Sequence, residues 1–410
     1  MATHGEREHA QWSASATERN WTCPGALALT DGLPDTTSEA ADWGTCCHQI
    51  AERCLRGNMT ADAFIGETEK GKRHSFVVDD EMAETTHTYV DYVIEQFAAA
   101  GVDATLQIEQ RFSLAALNPP FEAGGTADAV IYSPANRTLQ VIDLKGGRGV
   151  VVDAAGNKQA RTYALGALLA NSGAAVDRVI TTIVQPRAPH KDGIVRSETI
   201  DTADLLFWTT DLFEAMKRSA EAIEMRPALA EAVWADTYLK PGACTFCKAA
   251  GACPALRQKA YDAAGVWFDD LDQPRVANTP DALSPEAMAQ ALDAADLIGA
   301  WINSVRALAH AQAESGVQIP NYQLVQSIGR RRWIGEEADV AARLSKLGVD
   351  PFAKKLVSPA GAEKLLGAKR KGEIASLCEK PVTGTNLVRI DKTTRDPVKA
   401  RVDQFFTTLD

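Results

Sequence analysis

The stretch from Gly125 to Lys145, GTADAVIYSPANRTLQVIDLK, decides how the rest of the chain is read. Residues 126–133 and 138–145 are two apolar, strand-like runs separated by the turn residues Pro134, Ala135 and Asn136. Asp143 and Lys145 stand two residues apart, so on a strand both side chains leave the same face. Asp128 closes the Gly125-Thr126-Ala127-Asp128 element and can reach that face from the adjacent strand. Two carboxylates and an ammonium group on one sheet face suit phosphodiester hydrolysis. The carboxylates would hold Mg2+, which takes oxygen ligands and keeps some of its waters. The cation acidifies water, and Lys145 would orient the attacking water and stabilise charge growing on the phosphate. An Asp–Lys pair also occurs on ordinary solvated strands, so the neighbouring motifs carry the weight.

Downstream, the pattern predicts a helix over 157–171, on which Gln159 and Tyr163 share a face at i,i+4 spacing. There an amide and a phenol can meet a DNA phosphate or an attacking water. A β-branched run at 178–184, closed by Pro186, reads as a further strand. Upstream, 104–114 alternates apolar and polar residues as a strand does, and 79–100 reads as a helix that stops at Gly101. Another helix is expected over 37–56, with Ala40, Trp43, Cys47, Ile50, Ala51 and Cys54 on one apolar side. Gly44, His48 and Glu52 share a face of it. A lone helical histidine is usually a packing or surface residue, but beside these acidic motifs His48 reads as a metal ligand, with Glu52 orienting it from behind. At the start of the chain, Ser15 and Glu18 have capping-box spacing and open a short helix running into Trp21-Thr22-Cys23-Pro24-Gly25. Helix, three strands, helix, strand is the order of an α/β (α+β) domain, a small mixed sheet flanked by helices.

At 410 residues the chain is long enough for a catalytic core and one appended module. Its 45% hydrophobic and 24% charged content is that of a soluble globular protein, with no apolar run of membrane-spanning length. The polar N-terminus does not resemble a secretory signal, so the expected location is the cytoplasm, with no membrane partner. The net charge of −11 hides an asymmetry. Residues 321–410 hold 17 Lys and Arg against 11 Asp and Glu, a net of +6, leaving −17 on the rest. The expected division is a nuclease-like domain at 1–262, a Pro- and Asp-bearing linker at 263–283 and a mainly helical, basic module at 284–410. In the module a long helix opens at Ser284-Pro285-Glu286, and short helices are expected near 336–347 and 358–367. Arg330, Arg331 and Arg332 beside Trp333 form a candidate DNA-binding surface, joined by Lys354, Lys355, Lys369, Arg370 and Lys371. A solvated basic face with Trp333 as a core anchor is the other reading.

Eight cysteines in a chain this long are no disulfide framework. Cys23 is followed, more than two hundred residues on, by Cys244-x2-Cys247-x5-Cys253-Pro254. Cys-x2-Cys occurs in zinc, iron–sulfur and redox sites alike. No second Cys-x2-Cys or His pair completes a zinc ribbon, and no strand–helix context of a thioredoxin precedes Cys244. Cys46, Cys47, Cys54 and Cys378 read as small buried hydrophobes, with Cys46 or Cys47 an alternative ligand.

The set Gly44-Thr45-x-x-His48-x-x-x-Glu52, Gly125-Thr126-Ala127-Asp128, Ile142-Asp143-Leu144-Lys145 and Gln159-x-x-x-Tyr163 resembles the RecB-like branch of the PD-(D/E)XK nuclease superfamily, over roughly residues 13–262. The proline of the family name is absent, Ala127 standing before the first acid. The resemblance implies His48, Asp128, Asp143 and the Leu144 carbonyl as ligands of Mg2+ or Mn2+, and Lys145 as the catalytic lysine. The cysteine pattern resembles the iron–sulfur staple of AddB-type and CRISPR-adaptation (Cas4-like) nucleases. It implies a 4Fe–4S cluster on Cys23, Cys244, Cys247 and Cys253, tying the start of the chain to the end of the core, with structural zinc as the alternative. The segment from Ser13 to Gly25, Glu363-Lys364-Leu365-Leu366-Gly367 and Asp391-Lys392 resemble a phage and prophage family catalogued as a domain of unknown function.

The function expected from these features is a metal-dependent DNA exonuclease acting on linear ends, single- or double-stranded, in phage recombination, repair or replication. The family resemblance adds a single-strand annealing protein as a partner. A structure-specific endonuclease and a non-catalytic iron–sulfur protein that binds DNA ends are the competing expectations. An electron-transfer role ranks behind them.

Overall fold

The computed structural model describes residues 10–33, 38–148, 150–188, 190–265 and 284–322, together with Ala342. The chain divides into two compact units, 1–322 and 323–410, and every element named below belongs to the first. The basic surface around Arg330, Arg331, Arg332 and Trp333, the later Lys and Arg residues, the short helices expected near 336–347 and 358–367, and Cys378 lie outside the described residues.

Among the described residues, one sheet holds β1 (Trp12–Ser13), β4 (Thr105–Ser113), β5 (Ala123–Ser133), β6 (Thr138–Leu144), β7 (Arg178–Val184) and β8 (Val195–Asp201). The order is β1-β5-β6-β7-β8, with β4 on the other side of β5. β5 pairs antiparallel with β4 and β6, and β7 with β8, while β6 and β7 run parallel. The parallel step requires a crossover, which α5 (Lys158–Ala170) supplies. This is the mixed sheet flanked by helices that the sequence predicts. A small separate hairpin joins β2 (Thr68–Lys70) to β3 (Ser75–Val77).

Helices α3 (Glu39–Gly57) and α4 (Asp80–Ala99) cover one face of the sheet, where Ile50, Met82 and Tyr89 pack against Ile142 and Leu144. On the other face, α5 and α6 (Thr202–Met225) pack Leu165, Leu205 and Met216 against Leu139 and Val141. The helix starts are chemically fixed. Ser38, Asp79 and Asn157 accept from the N–H groups of Ala41, Met82 and Ala160 at 3.2, 2.9 and 2.9 Å. Gly166 lets α5 lie directly on the sheet, since a Cβ there would come within 1.8 Å of the Phe112 ring. This close approach brings Gln159 and Tyr163 within reach of β6.

The expected capping box at Ser15 and Glu18 does not form. Residues Ala14–Ala16 make a 3-10 turn, and α1 (Thr17–Thr22) follows without a side-chain cap. Other contacts claim these groups instead: the Ser15 hydroxyl bonds that of Ser13 at 3.2 Å, and Glu18 pairs with Lys158 at 3.0 Å. The β2–β3 hairpin, absent from the sequence reading, is held by one carboxylate. Buried Asp42 accepts from the N–H groups of Lys72, Arg73 and His74, each at 2.9 Å, and from the His74 ring at 2.8 Å. Burial alone would raise the Asp42 pKa, but these donors hold it well below the usual carboxylate range.

A third cluster gathers α2 (Ala26–Thr30), α7 (Glu231–Tyr238) and α8 (Pro254–Gly265) around Trp234, Tyr238 and Leu256. Leu297 and Trp301 of α9 (Pro285–Glu314) pack on it, and the backbone of Ser304 closes over Gly251. α9, packed on this cluster through partly buried Leu297 and Trp301, belongs to the first unit.

Candidate metal centre

The strands β5 and β6 separate where the acidic residues lie. Their ladder runs from Ser133↔Thr138 to Ala129↔Ile142 and stops there. Beyond the gap, β1 takes the place beside β5 that β6 has left, pairing at Ala123 and Gly124. Asp128 sits at the split. Its Oδ2 accepts the Leu144 N–H at 2.8 Å, replacing the ladder bond that the splayed backbone cannot make. On a strand the N–H and C=O of one residue point to the same side, so the Leu144 carbonyl opens toward the gap that holds Asp128.

Side-chain alternation changes phase at the same place. Ala123 and Ala127 pack into the core under α5, whereas Ala129 and Ile131 pack into the core under α3. On β4 the switch falls between Leu106 and Phe112. Between them Glu109, opposite Asp128, has φ +52°, a left-handed conformation that costs a non-glycine residue on the order of 1–2 kcal/mol. The strained residue is also an acid beside two ligand-type side chains. His48, Glu109 and Asp128 each place one ligand atom within 4.8 Å of the others, a set that can hold a metal ion. Glu109 escaped the sequence reading because it lies in an alternating strand with no motif around it. Glu109 sits at a polar position of that alternation; the break that could have flagged the site is its neighbour Gln110, a polar residue where Leu106, Ile108 and Phe112 set the apolar phase.

His48 reaches this set from α3, with Nδ1 3.3 Å from Asp128 Oδ1. Burial disfavours the imidazolium, yet Asp128, with Glu109 and Asp143 adding to it, lifts the His48 pKa to about 9 from 6.5. Protonated His48 therefore stabilises the metal-free fold fully below pH 6.5, and that contribution fades as pH rises toward 9. A cation needs the neutral ring, so Mn2+ affinity should climb by up to about tenfold per pH unit between 7 and 9. Equilibrium Mn2+ titration at stepped pH measures this, and a flat profile would remove His48 from the ligand set.

Asp143 and Lys145 project together toward α5. Lys145 Nζ lies 2.9 Å from Asp143 Oδ2, hydrogen-bonds Oδ1 at 3.2 Å, and donates to Gln159 Oε1 at 3.2 Å. The Gln159 amide in turn donates to Tyr163 Oη at 2.9 Å. Buried Asp143 Oδ2 accepts no hydrogen bond, despite its ion pair with Lys145. Burial pushes the Asp143 carboxyl up, Lys145 pulls it down, and Asp128 adds to the rise. Two neighbouring buried carboxylates are a donor set whose mutual repulsion a divalent cation would relieve.

Gln159 bridges Lys145 to Tyr163. Tyr163 itself is 9% exposed and packs edge-on against Phe112, so it faces the lysine network and not open solvent. Glu52, expected to orient His48, accepts from Arg56 Nε at 3.0 Å, and Arg56 also donates to the Ile108 carbonyl beside Glu109. Lys145 is fixed from behind. Its N–H bonds the Val184 carbonyl at 2.8 Å, and the next residue, Gly146, packs without a Cβ against Gly44 and Trp43. Arg187 lies over the Trp43 ring at 3.6 Å and grips the Gly146 carbonyl at 2.9 Å.

Glu109 yields a stability test. Because glycine accepts positive φ, Glu109→Gly should unfold about 1 kcal/mol later than Glu109→Ala. Both should bind Mn2+ more weakly than the parent. Equal stability of the two variants in denaturant titration would show that residue 109 is not strained.

Cys23, Cys244, Cys247 and Cys253 line one cavity at the third core, with Lys240 and Arg19 on its wall. Burial raises the thiol of Cys23 to about 11 and pushes up those of Cys244 and Cys247. The Lys240 N–H nonetheless points at Cys23 Sγ from 3.3 Å, and the Leu256 N–H at Cys253 Sγ from 3.5 Å. Amide donors aimed at gathered sulfurs fit thiolates bound to metal better than free thiols. Cys46, Cys47 and Cys54 are fully buried in the α3–α4 core, a different cluster from the cavity.

A family model described as "Protein of unknown function (DUF2800)" matches residues 9–394.

Proposed function

The chain belongs to the DUF2800 family, and from the side chains of this member we propose that it is a Mg2+- or Mn2+-dependent deoxyribonuclease. In this reading it is an exonuclease of phage or prophage origin with a PD-(D/E)XK core of the RecB-like kind, acting in DNA recombination, repair or replication. The observation that carries the reading is the convergence of His48, Glu109, Asp128 and Asp143 with Lys145 where β5 and β6 part. Asp128, Asp143, His48 and the Leu144 carbonyl would hold the cation, and Glu109 joins them. A divalent cation in that place supplies Lewis acidity toward phosphate and water.

The rest is done by the chain. Lys145, pinned between Asp143 and Gln159, presents a fixed ammonium to the scissile phosphate and to the water that attacks it. Gln159, locked by Tyr163, keeps that ammonium from swinging out to solvent. Acidic walls repel free DNA until a cation binds, which makes cleavage conditional on the metal. At the other end of the core, Cys23, Cys244, Cys247 and Cys253 would hold a 4Fe–4S cluster, joining α1 to the segment before α8. Zinc on the same sulfurs is the alternative, and visible absorption by thiolate-bound iron separates the two.

The deciding experiment incubates anaerobically purified protein with end-labelled linear DNA and with closed circular DNA, with and without Mg2+. Metal-dependent release of short products from linear DNA alone is expected. Cutting of the closed circle would make it an endonuclease. Tight DNA binding with no product under any metal would leave a DNA-end-binding protein.

A further inference from the structure

Helix α9 is apolar on two sides. It runs for 30 residues and none of them is fully buried. One side is accounted for: Leu297 and Trp301 pack on the third cluster, and Ser304 and Leu308 lie against Gly251. The other side is a stripe of Ala291, Ala295, Ile298, Ile302, Val305 and Ala309, spaced in alternating steps of four and three. That spacing is the seam of a coiled coil. Ile302 is 38% exposed, Val305 37%, and neighbouring Leu292 46%. A helix with a second apolar side of this length ordinarily buries it against another element.

The stripe is its own complement. In an antiparallel pair whose two-fold axis is level with Ala300, residues equally far before and after that position face each other. Ile298 then meets Ile302 of the second copy, Ala295 meets Val305 and Ala291 meets Ala309, and symmetry makes each layer twice. The charges run the same way. Glu286, Asp293 and Asp296 lie before the axis, and Arg306 and His310 lie after it, so antiparallel copies set the acidic half of one helix beside the basic half of the other. Glu314 is the exception, and it is engaged by Arg73 and His310. Arg306 and Asp296 are on the flank of the stripe turned away from Leu297 and Trp301. In this register the two stand within about 3 Å of the same level along the helix axis. Both are exposed, and neither makes an ion pair among the described residues. A parallel pair would instead set acid against acid and Arg306 against its own copy, at a cost.

We propose that α9 is a self-association helix, on which two copies of this chain pair antiparallel through the stripe from Ala291 to Ala309, with Arg306 of each copy on Asp296 of the other. A second copy is the partner because both the apolar layers and the charges are satisfied by this sequence facing itself. No residue of the metal centre or the cysteine cavity takes part, so the pairing stands apart from the nuclease reading.

Sedimentation equilibrium of the full chain over a range of concentrations should show a reversible equilibrium between monomer and dimer. Ile302→Glu puts a charge into both central layers and should raise the dissociation constant on the order of 100-fold or more. Its far-UV circular dichroism should match the parent's, because Ile302 is exposed in the single chain. Arg306→Asp and Asp296→Arg should each weaken the dimer by about tenfold, and the two combined should restore it, since opposite charges meet again. Neither a parallel pair nor a merely structural role for these residues gives that restoration. A parent that stays monomeric at every concentration would overturn the pairing and give the face to another occupant. A dimer unmoved by Ile302→Glu, or a combined charge variant no tighter than the single ones, would overturn it as well.

Discussion

On the proposed nuclease reading, Lys145→Ala is expected to lower Mg2+-dependent DNA hydrolysis by on the order of 10^3-fold or more and to leave the protein folded. The size follows from position: the ammonium lies 2.9 Å from Asp143 Oδ2 and is held by Gln159 at the mouth of the gap. A donor preorganised in a partly dry site is worth far more to a transition state than the same group in water. The stability cost is smaller, because Lys145 is partly exposed. Asp143→Asn is the companion variant. It removes the charge with the shape kept, so it should abolish cleavage and weaken Mn2+ binding with little change in unfolding. Full activity in either purified variant would end the assignment of this cluster as catalytic.

Cys23→Ala is expected to have the largest effect on stability. Cys23 sits at the end of α1, while the other three cavity cysteines lie beyond residue 240, so a shared metal group would close a loop of some two hundred residues. Closing a loop of that length restricts the unfolded chain by about 5 kcal/mol in the chain-entropy treatment. The variant should lose visible absorption and iron content together and unfold at markedly lower denaturant. Its Mn2+ affinity at His48, Glu109 and Asp128 should stay near that of the parent. Cys47→Ala is the control: its sulfur is buried in the α3–α4 core, so it should lose only the stability of a small cavity and keep the colour. An unchanged spectrum in Cys23→Ala would remove that cysteine from the ligand set.

Much of this arrangement was legible in the sequence where one residue type forces one geometry. The i,i+2 spacing of Asp143 and Lys145 on a β-branched run can only present both from one face. The i,i+4 spacing of Gln159 and Tyr163 puts both toward that lysine once α5 crosses over β6. The caps at Ser38, Asp79 and Asn157 mark helix starts by local chemistry alone, and α3, α4 and α5 begin there. β8 was missed for the opposite reason. Its residues Val195–Asp201 alternate polar groups, and its inward Arg196 is satisfied by the Val152 and Gly193 carbonyls and Gln185, partners that no local window contains.

By itself, then, the sequence determined helices α3, α4 and α5 and strands β4 to β7 in their order, the acid–lysine spacing and the spacing of the cysteines, since each depends on neighbours within a few residues. Only the tertiary structure decided that Glu109 stands opposite Asp128 and that Arg56 bonds both Glu52 and the Ile108 carbonyl. These outcomes depend on where β5 and β6 split and on how helices pack across the sheet. Such choices are made by groups far apart in the chain competing for the same buried partners, and local pattern carries no record of that competition.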